Sequence, residues 1–527
     1  MLSCRKESTY WEADYVAPLA QGNLSLGNMF PDTTIKTNPD SSLKIAFETN
    51  VISYGIDSLL KIPDTTITTV TTNTVFSFSL GPGQQIFSNL SNTYYDFPNG
   101  ILLTKASVKF GKVKVELTNT ARQPLSYHYQ LVSATKNHVM FDTVFEIPPG
   151  IYSTNPSSVC VTPGMVNCDI SLAGYDIDFT GPTHNTTNTV IQNGTISTST
   201  AAVQDTLFVN TGLTSKFTFT GIVPQYAEGY FGSQSVTVGP DTSTFNVFNT
   251  IQSGMLNLNS ATVQLKVINE FGVDMRASVA NLTAISTANH TLVTINGSNS
   301  TPLATPLNIN SAVNTGSSSI GTTKILTLNN TNTPSLTSFI GILPDKFAYK
   351  LNTQINPPPV VNPSGTNDFA YYGTGFKAYL SADIPLYFSA SNLCLADTVA
   401  LNLSGVNQFK NINHGQLTLT ATNSYPFAIN LQGYLLDENR NTIDVLFDTP
   451  NTVAAPMLDA NLKVVAPLQS KLIAPLSRTK MDNLQKAKYI YYAATFSTAG
   501  QPNQIKFYSN YTLGLLLTAD INYTVGK

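Results

Sequence analysis

The sequence predicts an all-β protein made of several antiparallel β-sandwiches, with one short helix near the C-terminus. Three observations carry this expectation. Apolar and polar residues alternate, as in Gly415–Phe447: Leu417 and Leu419, then Phe427, Ile429 and Leu431, then Ile443, Val445 and Phe447 recur at every second position. That period lines one face of successive strands. Turn signals interrupt such runs at Asn38-Pro39-Asp40, Pro63-Asp64, Gly81-Pro82-Gly83 and Pro98-Asn99-Gly100. The chain of 527 residues exceeds one ordinary core, and 42% hydrophobic content with 24 Tyr and 27 Phe can fill several.

Charged residues make up only 11% of the chain, against a usual share of about a quarter. Ser, Thr, Asn and Gln must then form the polar surface, which suits exposed sheet faces and an extracytoplasmic setting. Net charge is −3 and no basic run occurs, so the sequence shows no patch of the kind that neutralises nucleic-acid phosphates, and no nucleic-acid partner is expected. No apolar run reaches the length of about eighteen residues that a membrane-spanning helix needs.

Composition divides the chain into a lipoprotein-like N-terminus and tether at 1–22 and β domains at 23–150, 151–250, 251–410 and 411–527. Residues 284–323, rich in Ser, Thr and Asn, and 355–366, with Pro357-Pro358-Pro359, read as long loops or linkers. Gly221–Gly232 reads as a loop or bulge. A unit recurs at Asn119, Asn269 and Asn423, spaced by 150 and 154 positions. Apolar residues stand two, four and six positions before each Asn, as in Val113, Val115 and Leu117, and resume four to six positions after it. This reads as a large module used three times, or as coincidence among many strand–turn–strand segments. Asn suits such a corner because it tolerates left-handed backbone and bonds its own chain. A helix is predicted after a cap at Ser477 or Thr479, with Met481, Leu484 and Ala487 on one face. Tyr508–Val525 reads as a terminal strand docked in a sheet.

Cys4 follows Met1-Leu2-Ser3, a match to the end of a bacterial lipoprotein cleavage site, and this predicts a lipid on Cys4; the plain reading is a cysteine in a tail. Cys160 and Cys168 bracket Pro163-Gly164, and a small-loop disulfide is predicted between them. Cys394 reads as a small buried apolar residue. The five histidines form no metal-ligand spacing, and Gly316–Gly321 has P-loop spacing but Thr322 stands where Lys is needed. Asp437, Asn439, Asn441 and Asp448 match first, third, fifth and twelfth calcium-loop positions, but Thr442 replaces the turn glycine; a solvated hairpin turn is the alternative. Asp176 and Asp178 fall on one strand face and read either as paired catalytic carboxylates or as edge charges that deter aggregation. The aromatics read as core or as platforms for sugar rings. No cofactor is predicted.

Several segments, taken with the Cys4 start and Trp11–Leu19, resemble lipoprotein-like β proteins of Bacteroidota. They are SLAGYDIDFTGP at 171–182, YAEGYFG at 226–232, NSYPFAINLQGYLLDEN at 423–439 and the closing run at 494–525. The corners at Asn119 and Asn423 more weakly resemble the late-embryogenesis-abundant type β-sandwich, although Pro124 and Pro426 are displaced and the second copy lacks Pro. Sites such as Asp142-Thr143-Val144 and Asp397-Thr398-Val399 resemble the O-glycosylation signal of exported proteins of that phylum. The resemblance implies location and fold, and no activity. The expected protein is a non-enzymatic envelope lipoprotein on the outer membrane, at its periplasmic or cell-surface face. It would act as a scaffold, an adhesin, or a binder of surface glycan or envelope protein. The alternatives are a lipid carrier with an apolar tube and a polysaccharide hydrolase using Asp176 and Asp178.

Overall fold

The computed structural model describes residues 10–26, 34–60, 62–154, 159–248, 255–296, 301–358, 367–404, 412–498 and 504–525. The fold is all-β, a set of antiparallel sandwiches. α-Helix is limited among the described residues to three short segments, α1 (Ile56–Leu59), α2 (Leu336–Gly341) and α3 (Arg478–Lys486), beside a few 3-10 turns. The predicted helix is α3, capped by Ser477, whose hydroxyl accepts from the Lys480 amide at 3.2 Å.

Strands group into three modules. The N-terminal segment supplies β1 (Trp11–Ser25), β2 (Leu43–Gly55) and β3 (Thr65–Thr72). Next come β4 (Gln85–Tyr94), β5 (Leu102–Asn119), β6 (Leu125–Lys136), β7 (Val139–Ile147), β8 (Gly164–Ser171), β9 (Thr189–Thr198) and β10 (Gly212–Tyr230). The next seven are β11 (Gln234–Thr244), β12 (Thr262–Asn269), β13 (Met275–Ser286), β14 (Leu307–Ile309), β15 (Thr322–Asn329), β16 (Lys346–Ile355) and β17 (Gly375–Pro385). The last seven are β18 (Leu393–Ala400), β19 (Ile412–Asn423), β20 (Ile429–Leu436), β21 (Asn451–Val453), β22 (Leu468–Pro475), β23 (Tyr489–Phe496) and β24 (Thr512–Val525).

Module 1 pairs β3–β10–β5–β8 in one sheet and β4–β9–β6–β7 in the other. Module 2 pairs β2–β17–β12–β15 and β11–β16–β13–β14. Module 3 pairs β1–β24–β19–β22 and β18–β23–β20–β21. Numbered along the chain within a module, both sheets read 1-8-3-6 and 2-7-4-5 every time. That is the jelly-roll order. The N-terminal strands are dealt out in reverse: β3 to module 1, β2 to module 2, β1 to module 3. Module 1 is therefore inserted between the first two strands of module 2, and that pair is inserted between the first two strands of module 3.

This corrects the expected tether. Residues from Trp11 onward pair with β24, from Trp11 opposite Val525 to Ser25 opposite Thr512. Ala17, Leu19, Ala20 and Leu24 are buried there, and burial of those side chains fixes the strand. The sheets also run across the linear divisions at 150, 250 and 410: β5 pairs with β8 and β10, β2 with β17, and β18 with β23.

The repeated asparagine organises each module identically. Asn119, Asn269 and Asn423 end the third strand of their modules and are wholly buried. Each Nδ2 donates to the carbonyl four residues on, to Gln123, Val273 and Phe427 at 2.9, 2.8 and 2.9 Å. It donates again to Pro148, Asn310 and Ala454 at 2.9, 3.0 and 2.9 Å. Each Oδ1 accepts from the amide two residues on, of Ala121, Phe271 and Tyr425, at 2.8, 3.1 and 2.8 Å. The distant carbonyl always follows the residue that faces the Asn+6 position: Leu125 faces Ile147, Met275 faces Ile309 and Ile429 faces Val453. Coincidence of loose patterns does not reproduce a bonding set and a register three times. The expected left-handed backbone is not used, since none of the three has a positive φ; the side-chain amide alone makes the corner.

Modules join end to end. The two large apolar clusters divide module 2 across its middle. Val263, Leu282, Leu328 and Phe347 belong with module 3, and Val267, Phe271, Met275 and Phe376 with module 1. Between modules 2 and 3, the Leu43 amide donates to the Phe507 carbonyl at 2.9 Å, and Asp40 pairs with Lys506 at 2.5 Å. That lysine, with Ser42, holds the Asp40 carboxyl far below the usual range. Between modules 1 and 2, buried Asp368 accepts from the Phe231 amide at 2.8 Å and from Asn356 Nδ2 at 2.7 Å. Gly272 passes so close to Phe369 that a Cβ would lie 2.0 Å from its ring, so no larger residue fits there.

Two outcomes are expected. Asn423→Ala leaves three buried backbone groups unpaired, so denaturant unfolding should show module 3 weakened by about 2–4 kcal/mol; a loss within error would contradict the corner's role. Burial raises the Asp368 carboxyl above its ordinary value. The folded state then binds that proton more tightly than the unfolded chain, so its contribution is fully present below the unfolded value, at about pH 4, and is lost as pH rises through the raised value. Urea midpoints should lose that downward slope in Asp368→Asn; parallel curves for both proteins would count against it.

Candidate binding site

The residues singled out by sequence are dispersed. Cys4 lies outside the described residues. Cys160 and Cys168 are free thiols, which corrects the expected disulfide. The chain does not fold back at Pro163-Gly164: Cys160 sits opposite Tyr152, and β8 runs on to place Cys168 opposite Val115 in the sheet. Burial raises the Cys168 thiol pKa above its usual value. Cys394 is buried, as expected.

Asp437 closes the hairpin between β20 and the strand Thr442–Val445. Its Oδ1 accepts from the Asn439 and Asn441 amides, both at 2.8 Å, and its Oδ2 from Asn441 Nδ2 at 3.2 Å. The amide of Asn441 leads in holding that carboxyl below its ordinary value. Asp448 stands in solvent, 3.8 Å from Lys480 Nζ. Among the described residues no three His, Cys, Asp or Glu side chains gather as metal ligands. Asp437 therefore spends its oxygens on its own turn.

Asp176–Asp178 forms a short strand that pairs with both β5 and β6 and so ties the two sheets of module 1 together. Asp176 bonds Ser107 Oγ. Asp178 accepts from the Thr180 amide at 2.8 Å, and its Oδ2 lies 3.3 Å from His184 Nδ1. That nitrogen also lies 2.9 Å from Thr180 Oγ1. A nucleophile–base–acid relay uses the two ring nitrogens separately; here one nitrogen faces both groups. The aspartates hold a loop in place.

Apolar cavities inside modules 2 and 1 have volumes of about 30 and 40 Å³, while a site for a drug-sized ligand needs roughly 300 Å³ or more. Side chains fill the space around both cavities; a pocket of about 300 Å³ lined by Tyr54, Gln234, Val236 and Ile355 lies between β2 and β11 of module 2 and is open to solvent, so neither sandwich encloses an apolar tube.

The best binding geometry lies where module 1 meets module 2. Against β5, β10 slips register four times between Thr220 and Gly229, as the expected bulge at Gly221–Gly232 implied. The bulge sets Phe110 beside Tyr372, with ring centroids 5.8 Å apart and planes at 82°. The rings are 50% and 42% exposed. Lys109 Nζ lies 5.5 Å from the Tyr372 ring and 5.8 Å from Phe110. The Tyr372 amide is fixed by the Gln225 carbonyl at 2.8 Å.

One residue away begins a polar chain. Tyr371 OH donates to Asn314 Oδ1 at 2.8 Å, Asn314 Nδ2 donates to Tyr226 OH at 3.3 Å, and Tyr226 OH donates to Glu228 Oε2 at 2.8 Å. The Tyr226 and Tyr371 rings lie 4.7 Å apart. Burial, then the Glu228 carboxylate, pushes the Tyr226 hydroxyl pKa upward. Exposed aromatic faces beside an ammonium suit a polyhydroxylated ring: carbon–hydrogen faces stack on the rings and a hydroxyl can bond the Lys109 ammonium. The signal in the sequence was YAEGYFG alone, which holds Tyr226 and Glu228 but neither exposed ring.

No protein-family model matches this chain, and no curated protein matches it. Among solved structures it is similar to a protein described as secreted from Parabacteroides distasonis. The identity is 14%, over 56% of this chain and 82% of that one, with a TM-score of 0.29. It is also similar to VP2 of infectious bursal disease virus, at 8% identity over 95% of this chain and 83% of VP2, with a TM-score of 0.13. Another VP2 particle gives 8% identity, 95% and 86% coverage, and a TM-score of 0.12. Among the described residues no helix is long and apolar enough to cross a membrane.

Proposed function

We propose that this protein is a non-enzymatic binding scaffold of the bacterial cell envelope, tethered to the outer membrane through a lipid on Cys4. Three fused jelly rolls form the scaffold, and the platform of Phe110, Tyr372 and Lys109 takes a surface glycan. The exposed ring pair at the module 1–module 2 junction carries this reading, because two exposed aromatics held edge to face against a lysine offer a stacking surface. Of the polar residues suited to catalysis, Asp178 and His184 are bonded within their own loop and Asp176 is bonded to Ser107 on β5. The low charge content and the lipoprotein-like start favour the envelope.

Tyr372→Ala should weaken binding to the best ligand of a glycan array at least about tenfold, the loss of one stacking face, while leaving thermal unfolding unchanged. An array with no ligand, together with hydrolysis of a polysaccharide by the purified chain, would overturn the reading.

A further inference from the structure

The two joints within the chain follow one rule, and together they leave one unmatched face at each end of the array. In module 3 the asparagine-corner end carries Tyr425, packed against Phe507 with ring centroids 6.3 Å apart; the Phe507 carbonyl takes the amide of Leu43, where module 2 begins. In module 2 the corner end carries Gly272, whose amide donates at 2.7 Å to Phe369. That residue belongs to the strand Asp368–Tyr371, which pairs with β10 of module 1. Corner end meets opposite end at both joints. Two faces are left over: the corner end of module 1 and the far end of module 3.

The leftover corner end is apolar. Tyr152 and the loop around it cover Ala121, with the Gly150 amide donating to the Ala121 carbonyl at 2.7 Å and Tyr152 OH to the Thr120 carbonyl at 2.6 Å. Outward from this cover stand Val75, Phe76, Ile151, Val161 and Val203, each at least 63% exposed. Residues 72–80, 120–124, 147–154, 159–163 and 199–211 form this end and contain two charges, Arg122 and Asp205. Those two pair with each other at 3.2 Å. A terminal repeat normally turns a polar face outward. The other leftover face is a ribbon: the first six residues of β1, Trp11–Val16, are all exposed while paired to the end of β24. Trp11, Tyr15, Val16 and Val525 are its exposed apolar side chains, beside the carboxylates of Glu12 and of Asp14, the latter bonded to Asn522.

We propose that copies of this chain assemble head to tail, the apolar corner end of module 1 in one copy docking on the Trp11–Val16 ribbon of module 3 in the next. Such a heterologous contact is not self-closing and extends into a ring or filament. It continues the internal corner-to-opposite-end stacking across chains, and it is carried by apolar contact, so added salt should leave it intact. It does not depend on the glycan reading.

The test uses the full chain and two exposed-site variants, Phe76→Asp at the corner end and Trp11→Asp on the ribbon, in analytical ultracentrifugation across a wide concentration range. Wild type should grow beyond dimer with concentration. Each variant alone should stay monomeric, because each retains one competent face and lacks its partner. An equimolar mixture should form a dimer and stop there. A wild type that stays monomeric at every concentration, or a dimer formed by either variant alone, would overturn the proposal. Val203→Asp and Tyr15→Asp give a second pair should either first variant fail to fold, and the same outcomes decide.

Discussion

A single buried carboxamide that makes three hydrogen bonds sets the geometry of every module. Leaving the third strand, the chain must turn between sheets, and the turn strands two carbonyls and an amide away from any ladder. An uncompensated buried backbone group costs about as much as a lost hydrogen bond. Asn119, Asn269 and Asn423 satisfy all three at once. One of the bonded carbonyls lies beyond the fifth strand of the module, so the same side chain fixes the corner and the register of a distant strand. Asp offers no donor, Gln is a methylene too long, and Ser has one oxygen. The geometry selects Asn.

The second constraint is the source of each first strand. Edge pairing with β10, β17 and β24 completes one sheet per module, and those edges would otherwise expose unpaired backbone. Because the N-terminal segment delivers its strands in reverse order, module 3 cannot close until Trp11–Ser25 meets the last strand of the chain. Long-range pairing of this kind is slow to form. Once formed, it ties neighbouring modules by two chain crossings each, because module 1 interrupts module 2 and that pair interrupts module 3.

What the sequence made legible follows from range. Alternation is local, so the all-β class, the corners, α3 and the Asp437 hairpin could all be read from neighbouring residues. The jelly-roll order could not, because β2 and β17 meet across more of the chain than local patterns encode. Trp11–Val16 looked like a tether because every side chain there faces solvent, which hides period two. Cys160 and Cys168 looked like a disulfide because Pro163-Gly164 suggested a reversal that β8 does not make. Phe110 and Tyr372 come from different modules, and nothing near either residue announces the other.

The nested topology is tested most directly by a cross-link across its outermost pairing. Ala17 faces Ala519 in the β1–β24 ladder, and both are buried. The full chain carrying Ala17→Cys and Ala519→Cys, with native cysteines replaced by Ser, should form an intramolecular disulfide on mild oxidation in dilute solution, read as a mobility shift on a denaturing gel that reducing agent reverses. A chain that stays uncross-linked while folded would contradict the account, because β1 would then close some other sheet.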